Sequence, residues 1–162
     1  MKERIDFVSN SSSCSFVIND PVMFKNVILK WTKGCSHDLN NLSMYLICQS
    51  GDKSWFPKTW SSDGWNYDDE YRFSVSFDDF MSLSDELLSK LTSIEFMCDD
   101  FDTCNVFTLS VLKKALENNN VPVDSSNSEH PLILEDKNNY DGNKFITVLC
   151  KEAFGNDVGE NA

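Results

Sequence analysis

The sequence predicts an α+β protein, a mostly antiparallel sheet of about five to six strands with about three helices packed on one face. Three observations carry this. Tyr71, Phe73, Val75 and Phe77 alternate with Arg72, Ser74 and Ser76, the period-2 pattern of a half-buried strand. Phe24, Val27, Ile28 and Trp31 recur at helical spacing and form one apolar stripe. Hairpin-like connections outnumber clear strand–helix–strand units, which favours segregated layers over alternating ones.

The elements follow in order. In "ERIDFVSNSSSCSFVIND" (3–20), Ile5, Phe7 and Val8 lead into "SNSSSC" and Phe16 and Ile18 lead out, so the serine run reads as the turn of a first hairpin. Asp20 is positioned to cap a helix over 21–33, Pro21 suits its first position, and Gly34 ends it. "LSMYLICQ" (42–49) reads as a strand buried on both faces. The alternation from Tyr71 to Phe77 supplies the next strand. Ser82 and Ser84 are candidate caps for a helix with Asp85 and Glu86 in its first turn and Leu87, Leu88 and Leu91 on its inner face. "SIEFMC" (93–98) reads as a short strand. A helix over 103–118 follows, capped by Asp102 or Thr103, with Val106, Leu109, Leu112, Ala115 and Leu116 inward. A polar loop covers 118–131. "LILED" (132–136) and "KFITVLCK" (144–151) then read as two strands around the turn signal Asp141-Gly142. One domain is expected over 1–155, with 156–162 as a frayed tail.

Charge is the main functional lead. The chain of 162 residues has a net charge of −12. Residues 1–62 hold seven Lys/Arg and five Asp/Glu, whereas residues 63–102 hold two Lys/Arg and twelve Asp/Glu. Such a balance argues against direct binding to nucleic acid or to a membrane surface. The start has no apolar leader core and no window approaches a membrane span, so a cytoplasmic location is expected. The six cysteines (Cys14, Cys35, Cys48, Cys98, Cys104, Cys150) then read as reduced and mostly buried thiols.

Asp63, Asp68, Asp69, Glu70, Asp78, Asp79, Asp99, Asp100 and Asp102 are the candidate partner-binding residues, with Asp85 and Glu86 inside the same acidic segment. Duplex DNA carries one negative charge per roughly 1.7 Å of axis, and carboxylates on a lysine-poor surface imitate it toward a basic, nucleic-acid-binding protein. The same residues also suit a solvated, solubilising face. Trp55, Trp60 and Trp65 recur every five residues, a spacing that matches neither helix nor strand, and join the candidate surface as aromatic anchors or else fill the core.

Catalytic readings find little support. No metal or cofactor is expected, although Asp99, Asp100 and Asp102 leave a metal-dependent hydrolase as an alternative. In "DKNNYDGNK" an EF-hand is excluded, because Gly142 comes one place late and Thr147 stands where the bidentate Glu belongs. Cys35-x-His37 and the Cys98/Cys104 pair lack the paired spacing of a structural zinc site. His37 and His130 both read as loop residues in polar stretches, and no phosphate-cradling or nucleophile-elbow motif is present.

The N-terminal "RIDFVSNSSSCSF" resembles a signature of small uncharacterised proteins from low-GC bacteria and their phages, approximately R-x-D-F-V-T-N-S-S-S-S-S-F. Ser9 stands for the usual threonine and Cys14 for one serine. The resemblance covers about a tenth of the chain and implies an origin rather than an activity. A small acidic phage-type protein is similar in kind to anti-defence inhibitors, including anti-CRISPR proteins. Two functions are therefore expected first: an inhibitor that binds a host nucleic-acid-binding protein, or a phage structural or accessory protein whose charge serves solubility.

Overall fold

A computed structural model describes residues 13–31, 37–49, 70–99, 103–126, 128, 130, 132 and 144–155. The expected strand at 5–8, most of the strand at 132–136 and the tail at 156–162 lie outside the described residues.

The class is α+β, built on one antiparallel sheet. β1 (Ser13–Ile18), β2 (Ser43–Gln49), β3 (Glu70–Val75) and β4 (Ser93–Asp99) lie in the order β1-β4-β2-β3. The described residues thus hold four strands where the sequence predicts five to six. They also hold α1 (Pro21–Trp31), α2 (His37–Asn40), α3 (Phe77–Met81), α4 (Asp85–Leu88), α5 (Thr103–Asn118) and α6 (Lys144–Phe154).

Register sorts the side chains. Phe16 faces Phe96, Ile18 faces Ile94, and on the far side of β4 Met44 faces Phe96 and Leu46 faces Ile94. Leu46 in turn faces Phe73. These residues share one apolar sheet face and are buried in a single contiguous core with α1, α5 and α6. The rings of Phe16 and Phe24 each lie 5.6 Å from Phe96, and Phe24 lies 5.6 Å from Phe80, so α1 and α3 both close over the sheet centre.

Local chemistry sets the helix ends. The Met23 amide donates to Asp20 Oδ1 at 3.0 Å, so Asp20 caps α1 as its sequence position implies. At the end of α5, Asn120 adopts a φ of 64°, the Val121 amide donates to the Leu116 carbonyl at 2.9 Å, and the Asn120 amide donates to Glu117 at 3.0 Å. This is a Schellman closure, with asparagine in the left-handed position and Val121 buried beside the helix. The chain then returns to the edge of β1 away from β4, where Val17 and Asp124 exchange both backbone hydrogen bonds at 2.7 and 2.9 Å. The Ser126 amide donates to the Asp124 carboxylate and holds it below the usual carboxylate range.

Four expectations change. "KFITVLCK" is not a strand: α6 covers it, because Ile146, Leu149, Cys150 and Ala153 form a buried helical stripe that packs on α5. Phe77 does not end β3 but opens α3, since Ser76 leaves the strand and accepts the Asp79 amide at 3.1 Å. Ser13 and Cys14 are not turn residues; they pair with Asp99 and Cys98 in the β1–β4 ladder. Residues 9–12 of the expected turn lie outside the described residues. The helix expected after Ser82 is a single turn, α4, with Ser84 as its cap and Ser82 closing α3.

Candidate functional site

The acidic segment divides between the two ends of the sheet. Tyr45 of β2 faces both Ser74 of β3 and Glu95 of β4, so β3 and β4 run in the same direction on either side of it. Glu70 therefore starts β3 at one end of the sheet, and Asp99 finishes β4 at the other. Only the backbone of these two is described. Asp63, Asp68, Asp69, Asp100, Asp102, Trp55, Trp60 and Trp65 lie outside the described residues, and with them most of the Asp99–Asp102 carboxylate set.

Asp78 and Asp79 sit at the Asp99 end, because α3 begins directly after β3 runs out. Both are exposed. Their backbone is fixed by two unrelated contacts. Ser76 Oγ accepts the Asp79 amide, and Asn40 brackets Asp78, its Oδ1 accepting the Asp78 amide and its Nδ2 donating to the Asp78 carboxylate, each at 3.2 Å. Asn40 comes from α2, just before β2 begins at this same end. Its involvement has no local sequence signal, since 38 positions separate it from Asp78.

Asp85 and Glu86 are exposed in the first turn of α4, where Ser84 Oγ accepts the Leu87 amide at 3.3 Å. Acidic residues there complement the unpaired amides of a helix start. Lys25 of α1 reaches this surface and donates from Nζ to the Leu83 carbonyl at 2.6 Å, between the two acidic turns.

Glu95 belongs to the acidic segment by sequence but not by exposure. It is 1% exposed and binds Arg72 at 2.8 Å, and the Arg72 guanidinium lies 4.4 Å over the Tyr45 ring. Strand alternation explains the position: Tyr45, Arg72 and Glu95 all occupy the sheet face opposite the apolar core. The pair neutralises itself and presents no charge to a partner.

Among the described residues no three His, Cys, Asp or Glu side chains converge into a metal-holding group, and no helix is long and apolar enough to cross a membrane. What the described carboxylates offer chemically is a set of solvent-facing acceptors carried on capped backbone. Comparison with known proteins leaves the site to its own geometry, since no family model, curated sequence or solved structure matches the chain.

Proposed function

We propose that the chain is a non-catalytic interaction module of phage type, an anti-CRISPR-like inhibitor that occupies the nucleic-acid channel of a basic host protein. The supporting observation is that Asp78, Asp79, Asp85 and Glu86 are all exposed on two consecutive serine-capped turns. Capping fixes the backbone that carries them, so less freedom is lost when a partner binds. Guanidinium and ammonium groups that normally grip phosphates accept carboxylates with the same charge-assisted hydrogen bonds. In the proposal Asp99 extends this surface at its own end of the sheet, Glu70 adds a charge at the opposite end, and Asp63, Asp68, Asp69, Asp100 and Asp102 supply further carboxylates, with Trp55, Trp60 and Trp65 as apolar anchors.

The test captures protein from a low-GC bacterial lysate on the immobilised chain and challenges it with duplex DNA. The captured protein is expected to elute with DNA and with modest salt. The fourfold variant D78K/D79K/D85K/E86K is expected to lose at least about tenfold in affinity, roughly 1.4 kcal/mol. Undiminished binding by a folded fourfold variant, or indifference to DNA, sinks the proposal.

A further inference from the structure

The sheet register places two thiols opposite one another. Cys14 of β1 faces Cys98 of β4, and among the described residues the Ser13–Asp99 pair follows it in the ladder. Both thiols are reduced, Cys14 2% exposed and Cys98 8%. Both belong to the apolar face, in line with the Phe16–Phe96 pair.

The kind of pairing follows from the other edge of β1. Val17 exchanges its backbone bonds outward with Asp124, and the Ser15 amide donates outward to Ser128 Oγ. Odd-numbered residues of β1 therefore point their backbone groups away from β4, and even-numbered residues point theirs toward it. Cys14 and Cys98 are thus a hydrogen-bonded pair, for which the Cα separation is about 5.5 Å. That lies inside the range of about 4.4–6.8 Å that a disulfide spans. Directly opposed Cβ atoms lie about 4.5–5.5 Å apart, so the strands must draw in by up to about 1 Å to make the bond.

We propose that Cys14 and Cys98 form a reversible cross-strand disulfide, making the edge of the sheet an oxidation site. The oxidant is a low-molecular-weight disulfide. The thiolate of Cys98, the more exposed of the two, attacks one sulfur of that reagent and expels its other half as a thiol. Cys14 then attacks the Cys98 sulfur of the mixed disulfide and releases the second half. Two protein thiols are oxidised to one disulfide, and the reagent is reduced to two thiols. Local opening of β1 from β4 around the Cys14–Cys98 pair admits the reagent. The inward strain makes the bond easy to reduce, which suits a switch better than a permanent staple. In the oxidised form β1 is clamped to β4 beside Asp99. Transient bonds of this sort are the kind found in reducing compartments.

The experiment incubates the full, folded chain with excess oxidised glutathione and maps disulfides by non-reducing peptide mass spectrometry. A Cys14–Cys98 peptide is expected, lost on adding dithiothreitol, with circular dichroism unchanged throughout. In C14A, Cys98 is expected to stop at the glutathione adduct, while C48A retains the cross-link. The wild-type map decides the matter even if a variant folds poorly. Absence of the Cys14–Cys98 peptide after prolonged oxidation, or pairing of Cys98 with another cysteine, overturns the proposal.

Discussion

At the scale of single residues, burial divides groups that look alike in sequence. Glu95 and Asp78 are both acids of one charged segment, but Glu95 is committed to Arg72 inside the fold while Asp78 faces solvent. A buried ion pair is a weak source of net stability, because desolvation of both charges offsets their attraction, yet removing one partner strands the other. E95L and R72M are therefore each expected to cost about 3–5 kcal/mol in urea unfolding, whereas R72M/E95L recovers most of the loss. Additive losses in the double variant would count against this account. Cys150 makes a second case. It is fully buried on α6, and desolvation pushes its thiol up to about 11 from 9.0. The folded state then holds a proton that the unfolded chain releases above pH 9, so this contribution to stability is present below pH 9 and is lost as pH rises toward 11. C150A is expected to be less stable than the parent at pH 7 but to fall less steeply over that window, on the order of 2 kcal/mol less, as read by urea midpoints.

At the scale of elements, the α5–α6 pair is held at its ends as well as along its stripe. Asn118 of α5 donates from Nδ2 to the Glu152 and Ala153 carbonyls at 2.6 and 2.7 Å, and these belong to the last turn of α6, where carbonyls lack partners within their own helix. N118A is expected to cost about 1–2 kcal/mol and to speed amide exchange in the last turn of α6 before any other element. Exchange that quickens equally in β4 would point to a global effect instead. This contact also shows why α6 was illegible in "KFITVLCK". Thr147 and Val148 favour a strand, and a short apolar run does not choose between periods. The helical stripe is completed only at Ala153, beyond that window, and its value comes from α5, which is remote in sequence. By contrast, α1 and α5 were legible because each shows a long stripe, with a cap signal at the start of α1. β3 was legible in its alternation but not in its end, since Phe77 keeps the period while Ser76 turns the chain. Of the candidate surface, sequence identified the exposed Asp78 and Asp79 but not the Asn40 clamp that holds Asp78, nor the withdrawal of Glu95, since both depend on strand register and distant packing.

At the scale of the whole molecule, a net charge of −12 acts on folding and on binding with opposite signs. Like charges repel across the folded surface and are spread apart on unfolding, so the field lowers stability. The same field raises the rate of encounter with a basic partner. Salt screens both over about 10 Å at 0.1 M, and screens the buried Arg72–Glu95 pair far less. Raising sodium chloride from about 0.02 to 0.3 M is therefore expected to raise the melting temperature by a few degrees while weakening partner binding by at least about tenfold. Each reversal in D78K/D79K/D85K/E86K removes two units of negative charge, so the melting temperature of this variant should depend less on salt. If the carboxylates served solubility alone, salt would change stability in the same way but leave the binding constant of any captured partner unchanged. Calorimetric melting and binding titrations over one salt series separate the two roles, because only a surface used for recognition moves both curves, and in opposite directions.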